Sequence, residues 1–190
     1  QGDMTNADDV KKLFAECVKD FGNEVNIRVN VVGGMVGREP ITEQDEAWYN
    51  FLMDVNMKSV FLCTREVVPL MTNGGSIINF SSQAARDGGG PGASMYATAK
   101  AAVMCHTRAM AKELGPVGIR VNALAPGMIA TSFHDRFTNP AARENLEKTV
   151  PLRRQGAASD IADLVAYLAS DESSYITGTN IDINGGALFS

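Results

Sequence analysis

At 190 residues, with 45% apolar and 21% charged residues, the chain is long enough to bury one core and too short for two large ones. A net charge of −5 without any Lys/Arg run excludes the electrostatic footprint of a nucleic-acid binder. No stretch approaches the roughly 18 uninterrupted apolar residues of a membrane span, and Gln1-Gly2-Asp3-Met4 lacks the basic and apolar regions of a secretion signal.

These limits predict a single domain over residues 1–190, in a chain that binds neither nucleic acid nor membrane. Cys17, Cys63 and Cys105 are far apart, odd in number and without a CxxC pair. All three fall in segments with helical patterning, which reads as small buried hydrophobes in a reducing, cytoplasmic compartment.

The elements run in a regular order. Val10, Leu13, Phe14, Cys17, Val18 and Phe21 recur on one helical face, with Asn6 or Thr5 as cap and Gly22 as stop. Val25–Val32 reads as a strand closed by Gly33-Gly34. A long helix is predicted from about Thr42, as its cap, to Thr72, with Asp45 in the capping-box position. Ser76–Ser81 is a β-rich run, and the loop Arg86–Gly92 leads into a helix over Ser94–Leu114. Gly118–Leu124 is a third strand, broken by Pro126-Gly127. Residues 128–150 show no clean period and read as a loop with short helical pieces. Ser159 and Asp160 open one more helix, and Thr179–Ile183 is the last strand.

Strands that are apolar along their length and alternate with helices imply a parallel sheet covered on both faces. The predicted fold class is therefore α/β, Rossmann-like and doubly wound. Ligands bind such sheets beyond the carboxyl ends of the strands, which places function in the loops after Val32, Ser81 and Leu124.

Tyr96 and Lys100 stand four residues apart in YATAK, so both side chains project from one helix face. An ammonium beside a phenol favours the phenolate and draws its pKa down toward working pH. A phenol so tuned exchanges a proton with a carbonyl or alcohol oxygen. The plainer alternative is a surface tyrosine with a lysine neighbour. Context favours the chemistry. Ser81-Ser82 ends a strand whose carboxyl edge faces the same loop, and Asn56 lies inside a long helix where an amide is a mediocre choice.

Taken together, NFSS after a strand, YATAK on the next helix and VNALAPG after the following strand resemble the short-chain dehydrogenase/reductase family, from Asp3 to the C-terminus. The resemblance implies a catalytic tetrad of Asn56, Ser82, Tyr96 and Lys100. Ser82 would bond the substrate oxygen and Tyr96 would donate the proton. Lys100 would hold the nicotinamide ribose, and Asn56 would anchor a water linking Lys100 to solvent. For the cofactor, NAD or NADP, it implies Asp3 and Met4 beside the adenine, and Asn30 and Gly33 after the strand. Pro126, Gly127, Ile129 and Thr131 would lie at the carboxamide end of the nicotinamide, with Tyr96 and Lys100 near its ribose. Thr177-Gly178 and Ile183-Asn184-Gly185-Gly186 resemble the family's closing segment, with Asn where Asp is usual.

The family's TGxxxGxG turn does not occur in these 190 residues. By resemblance the chain supplies strands 4–7 of a sheet ordered 3-2-1-4-5-6-7. It is expected to be incomplete at the N-terminus and, as this piece alone, inactive. The choice between NAD and NADP stays open. Two functional readings follow: a reductase whose remaining residues lie outside this sequence, or a non-catalytic chain that acts through helix-mediated association.

The substrate implied is a small polar carbonyl or alcohol compound, such as a keto-sugar acid, or a 3-oxoacyl compound. Arg86, Met128 and Arg38 are candidate contacts, a guanidinium being suited to a carboxylate. Apolar residues on more than one face of 42–72 and 94–114 imply a homodimer or homotetramer. No metal is expected, since His106, on a helix expected to be buried, and His134, in the irregular loop, have no ligating neighbours at metal spacing. A serine hydrolase is disfavoured, because Ser82 lacks both SxxK and a GxSxG elbow.

Overall fold

A computed structural model describes residues 1–189 of the chain. Helix α1 (Ala7–Phe21) starts where Asn6 Oδ1 accepts from the N–H groups of Asp8 and Asp9, at 2.9 and 3.2 Å, and stops at Gly22 with φ +94°. Val10 and Phe14 pack into a core with Leu62, Cys63 and Val67. Leu13 and Phe21, expected on the same buried face, are instead 40% and 84% exposed. The apolar arc of α1 is wider than the surface it meets.

Strand β1 (Ile27–Asn30) is shorter than the predicted 25–32, because Val31 and Val32 leave the ladder and are exposed. The long helix also differs from expectation. Asp45 itself is the cap, its Oδ1 accepting from Trp48 N at 2.7 Å, so α2 (Glu46–Met53) starts four residues after Thr42. Residues 41–43 form a turn closed by Glu43 N to Pro40 O. The helix then opens into a π-turn over Asp54–Lys58 before α3 (Ser59–Val67) and a final 3₁₀ turn containing Pro69. Asn56 causes this opening. Its Nδ2 takes the Leu52 carbonyl at 3.0 Å, while Ser59 N reaches back five residues to Asp54 O.

The remaining elements are β2 (Gly75–Phe80), α4 (Ala84–Asp87), α5 (Ser94–Leu114) and β3 (Ile119–Pro126), then α6 (Ser132–Phe137), α7 (Pro140–Thr149), α8 (Ala158–Ala169) and β4 (Asn180–Ile183). Residues 128–150 are thus more ordered than their weak periodicity implied, with Asn139 Oδ1 capping α7. Helix α8 begins at Ala158, one residue before Ser159, and Asp160 in its first turn accepts from Ala157 N at 2.7 Å.

Among the described residues the strands form one parallel sheet in the order β1-β2-β3-β4. Alternation along the strands separates two cores. Ile77 and Val121 face α1, α3 and α5, whereas Ile78 and Leu124 face α8. Helices therefore cover both faces, as doubly wound packing requires.

Buried amides stitch the strands from inside. Asn30 Nδ2 donates to Asn79 Oδ1 at 2.8 Å, and Asn79 Nδ2 donates to Thr107 Oγ1 at 2.9 Å. Asn122 Oδ1 accepts from the N–H and hydroxyl of Thr179. Each of these amides would be costly if unpaired, so together they fix the register of the sheet. The cysteines divide. Cys63 is buried as expected, Cys17 partly so, and Cys105 is exposed on α5.

Candidate active site

A cavity of about 930 Å³ opens at the carboxyl edge of the sheet, walled by the segments that follow β1, β2 and β3. Ser82 lies just beyond the end of β2, and Tyr96 and Lys100 lie on the first turns of α5. All three line the cavity, and both Tyr96 and Lys100 are buried. The Ser82 hydroxyl hydrogen-bonds the Tyr96 phenol and also accepts from Ala84 N at 3.2 Å. The neighbouring Ser81 is structural, its hydroxyl donating to Lys100 O at 2.9 Å.

Lys100 Nζ donates to Phe80 O at 2.9 Å and lies 5.9 Å from the centre of the Tyr96 ring. Burial draws this ammonium down to about 8. The expectation that Lys100 lowers the Tyr96 pKa is corrected here. Burial pushes the phenol above its ordinary value, opposed only by the hydrogen bond from Ser82. The lysine proton is aimed at the backbone of β2 rather than at the phenolic oxygen, so the neutral phenol is the resting form.

Asn56 is fully buried behind this group. Its Oδ1 accepts from Gly34 N at 3.0 Å, and its Nδ2 donates to Gly34 O at 2.9 Å. Gly33 passes directly over both polar side chains. A Cβ there would lie 2.7 Å from Asn56 Oδ1 and 2.9 Å from Lys100 Nζ, on a backbone with φ +155°. The loop after β1 can follow this path only as glycine.

Pro126, Gly127, Met128, Ile129 and Thr131 form another wall of the cavity. Gly127 is packed so closely that a Cβ would meet Asn184 at 2.7 Å. The loop after β3 is held from below, with Ala130 N on Gly156 O and Gly156 N on Met128 O.

Four of the expected residues, Asp3, Met4, Asn30 and Arg86, do not line the cavity. Asp3 and Met4 lie outside the cavity. The Asp3 carboxylate caps its own turn through Thr5, and the Met4 sulfur contacts Cys63. The Asn30 side chain is spent inside the sheet on Asn79 and Arg28. Arg86 turns away from the cavity to Asp182 at 2.8 Å and to Asn180 O at 2.7 Å, as a half-buried brace between α4 and β4.

Residues that pattern reading passed over complete the wall: Met35, Gln83, Asp87, Phe133, His134 and Thr138. Phe133, His134 and Thr138 come with α6, whose short sequence carries too weak a period to place. His134 belongs to α6, and its Nδ1 meets Thr138 Oγ1 at 2.8 Å. His106 is only half-exposed on α5, where its Nε2 finds no partner among the described residues.

Ser82, Tyr96 and the buried Lys100 meet at the carboxyl edge of a parallel sheet. Comparison with known proteins bears on the family. A family profile described as enoyl-(acyl carrier protein) reductase matches residues 1–187. The 3-oxoacyl-[acyl-carrier-protein] reductase of Staphylococcus epidermidis is 37% identical over 188 residues, 98% of this chain and 75% of that protein.

The chain belongs to the short-chain dehydrogenase/reductase family.

The 3-oxoacyl-[acyl-carrier-protein] reductase of Thermotoga maritima is 38% identical over 185 residues, 96% of this chain and 74% of that one. Among solved structures, a short-chain dehydrogenase/reductase described as glucose/ribitol dehydrogenase from Brucella melitensis superposes with a TM-score of 0.93 at 30% identity. An NADH-dependent reductase, A1-R', responsible for alginate metabolism, superposes with a TM-score of 0.89 at 29% identity. Both comparisons cover all of this chain and 75% of the other. The short-chain dehydrogenase/reductase fold thus accounts for the sheet, for the helices on both faces and for the position of the cavity.

Proposed function

We propose that the chain carries the active site of an NAD- or NADP-dependent oxidoreductase that interconverts a carbonyl group and a secondary alcohol. The observation that carries this reading is the contact of Ser82 with Tyr96 above the buried Lys100, all open to one cavity. The residues fit a nicotinamide cofactor. Lys100 uses one of its three donors on Phe80 O, leaving the others for ribose hydroxyls, and Gly33 keeps the space above it clear. When bound, the cofactor supplies or accepts the hydride.

The chain's own residues handle the proton. Ser82 holds the substrate oxygen beside the phenol, and Tyr96 gives its proton to that oxygen as hydride reaches the carbon. The Ser82 hydroxyl, whose hydrogen bond favours the charged form of the phenol, stabilises the phenolate left behind. Asn56 Oδ1 keeps a second lone pair for a water on the path that returns a proton to Lys100. Pro126, Gly127, Ile129 and Thr131 hold the carboxamide end of the nicotinamide, with Met128 facing the substrate.

A small polar carbonyl compound, keto-sugar acid or 3-oxoacyl in type, is the substrate class. The relatives named as reductases support reduction as the direction. We further propose that the protein assembles as a homodimer or homotetramer through the outer faces of α2–α3 and α5, where Tyr49, Phe51 and Phe61 stay exposed. The test, on the protein together with any residues it carries beyond these 190, is turnover of a panel of keto acids and 3-oxoacyl thioesters with NADH and NADPH. Oxidation of neither cofactor by any substrate would sink the reading.

A further inference from the structure

We infer that Arg38 forms a carboxylate subsite in the cavity, so that the preferred substrate is a carbonyl compound carrying a single negative charge. This rests on the oxidoreductase reading above and sharpens it. Arg38 lines the cavity on the loop after β1. The guanidinium is held at two points by backbone, Nη1 donating to Pro91 O at 3.0 Å and Nε donating to Phe137 O at 3.4 Å. It thereby joins three cavity segments: the β1 loop, the glycine-rich loop before α5, and α6.

Arg38 is exposed at the mouth of the cavity, where its charge is open to a ligand. Among the described residues no carboxylate lies within ion-pair distance of Arg38, although six other ion pairs form. The cavity's own carboxylate, Asp87, is satisfied by Gln83 Nε2 and Gly89 N. The neighbouring cations do not compete. Arg143 is paired with Asp135. Burial and the charges of Arg143 and Arg38 draw His134 below its ordinary value despite its bond to Gly127, so it is neutral at pH 7. Lys100 is turned to Phe80 O. One fixed positive charge with a free fork of donors therefore remains at that end of the cavity.

The chain strains itself to put it there. Val36, β-branched, has φ +56° in a three-residue turn closed by Gly37 N on Met35 O at 2.7 Å. Such backbone is costly and gathers at ligand clamps. Gly92 and Gly90 then make room, since a Cβ at either would press on Arg38 at 3.0 and 3.2 Å. A single guanidinium matches a carboxylate in charge and in its two-point geometry, whereas a phosphate brings more charge than this end of the cavity can balance.

The experiment compares 5-oxohexanoate with its methyl ester on the protein and on Arg38→Leu and Arg38→Lys variants. Two readouts are used. The first is the ratio of kcat/KM for acid over ester. The expected ratio is at least about tenfold, lost mainly through KM in Arg38→Leu and partly kept in Arg38→Lys. The second is the fluorescence of Trp48, the chain's one tryptophan, whose ring packs against Gly37 next to Arg38. The acid should shift it saturably and Arg38→Leu should not respond. A ratio near one, or one that Arg38→Leu leaves intact, overturns the subsite. If neither compound is reduced with either cofactor, the oxidoreductase reading fails for this class. The fluorescence titration then decides Arg38 alone: a saturable response lost in Arg38→Leu upholds it, and no response refutes it.

Discussion

The side chain of Asn56 pairs with the backbone of Gly34 in both directions, accepting from its N–H at 3.0 Å and donating to its carbonyl at 2.9 Å. One buried amide thus fastens the loop after β1 to the π-turn of the helix beneath it, directly over Lys100. Asn56→Leu keeps the volume but strips Gly34 of both partners and Leu52 O of one. Loss of about 2 kcal/mol or more is expected in urea unfolding, together with weakened binding of NADH or NADPH. Wild-type stability in this variant would remove Asn56 from its place as the fastening. Gly33→Ala should weaken cofactor binding as well, because the added methyl has to displace Asn56 Oδ1 and Lys100 Nζ.

Tyr96→Phe removes the proton donor and leaves the ring in its pocket against Met35 and Ala93. A fall of at least about 10²-fold in kcat is expected, with cofactor affinity retained. Steady-state kinetics beside a direct cofactor titration check it, and near-normal turnover would disprove the assignment. Because burial keeps the phenol protonated, alcohol oxidation should climb with pH across the neutral range while carbonyl reduction stays flat.

Lys100 gives a pH dependence of known sign. Its folded pKa, about 8, lies below the ordinary lysine value because the ammonium is desolvated. The folded chain therefore bears the full cost of that charge below about pH 8. Stability gains as pH rises from about 8 toward the unfolded value of about 10.4. Cofactor binding runs the opposite way, since the charged form holds the ribose. The dissociation constant of NADH should rise as pH passes about 8, and Lys100→Met should bind weakly with no such step. A step of equal size in Lys100→Met would assign it to another group.

Arg86→Ala tests the brace between α4 and β4. Breaking the half-buried bond to Asp182 and the bond to Asn180 O should cost about 1–3 kcal/mol in thermal or urea unfolding. It should leave the preference between keto acid and ester where it was. A collapse of that preference would return Arg86 to the substrate site.

Assembly is read by light scattering. Tyr49, Phe51 and Phe61 are about half-exposed on the outer face of α2–α3, so a dimer or larger is expected at micromolar concentration. Phe51→Glu with Phe61→Glu should shift the protein toward monomer. A wild-type monomer would contradict the proposed interface.

Much of this molecule is legible in its sequence. Strand and helix periods, the Asn6 cap and the glycine stops depend on neighbours along the chain, so the element order and the parallel sheet follow from them. The contact between Tyr96 and Lys100 is equally local, being one turn of one helix.

Other features were decided only when distant segments met. Asn56 opens a π-turn because its amide can reach both Leu52 O and Gly34, a residue 22 positions away in sequence. In the sequence Arg86 and Arg38 read alike, as loop arginines, although Arg86 lies on α4. Asp182 takes the first into a brace, while the second finds only carbonyls and keeps its charge for the cavity. The Tyr96 pKa moved opposite to the local expectation, because burial by the folded chain outweighs a neighbouring charge directed elsewhere. The sequence determined which groups exist and which lie on a common helix face. The tertiary structure decided which of them are desolvated and which partners they meet, because desolvation and pairing depend on what the rest of the chain brings alongside.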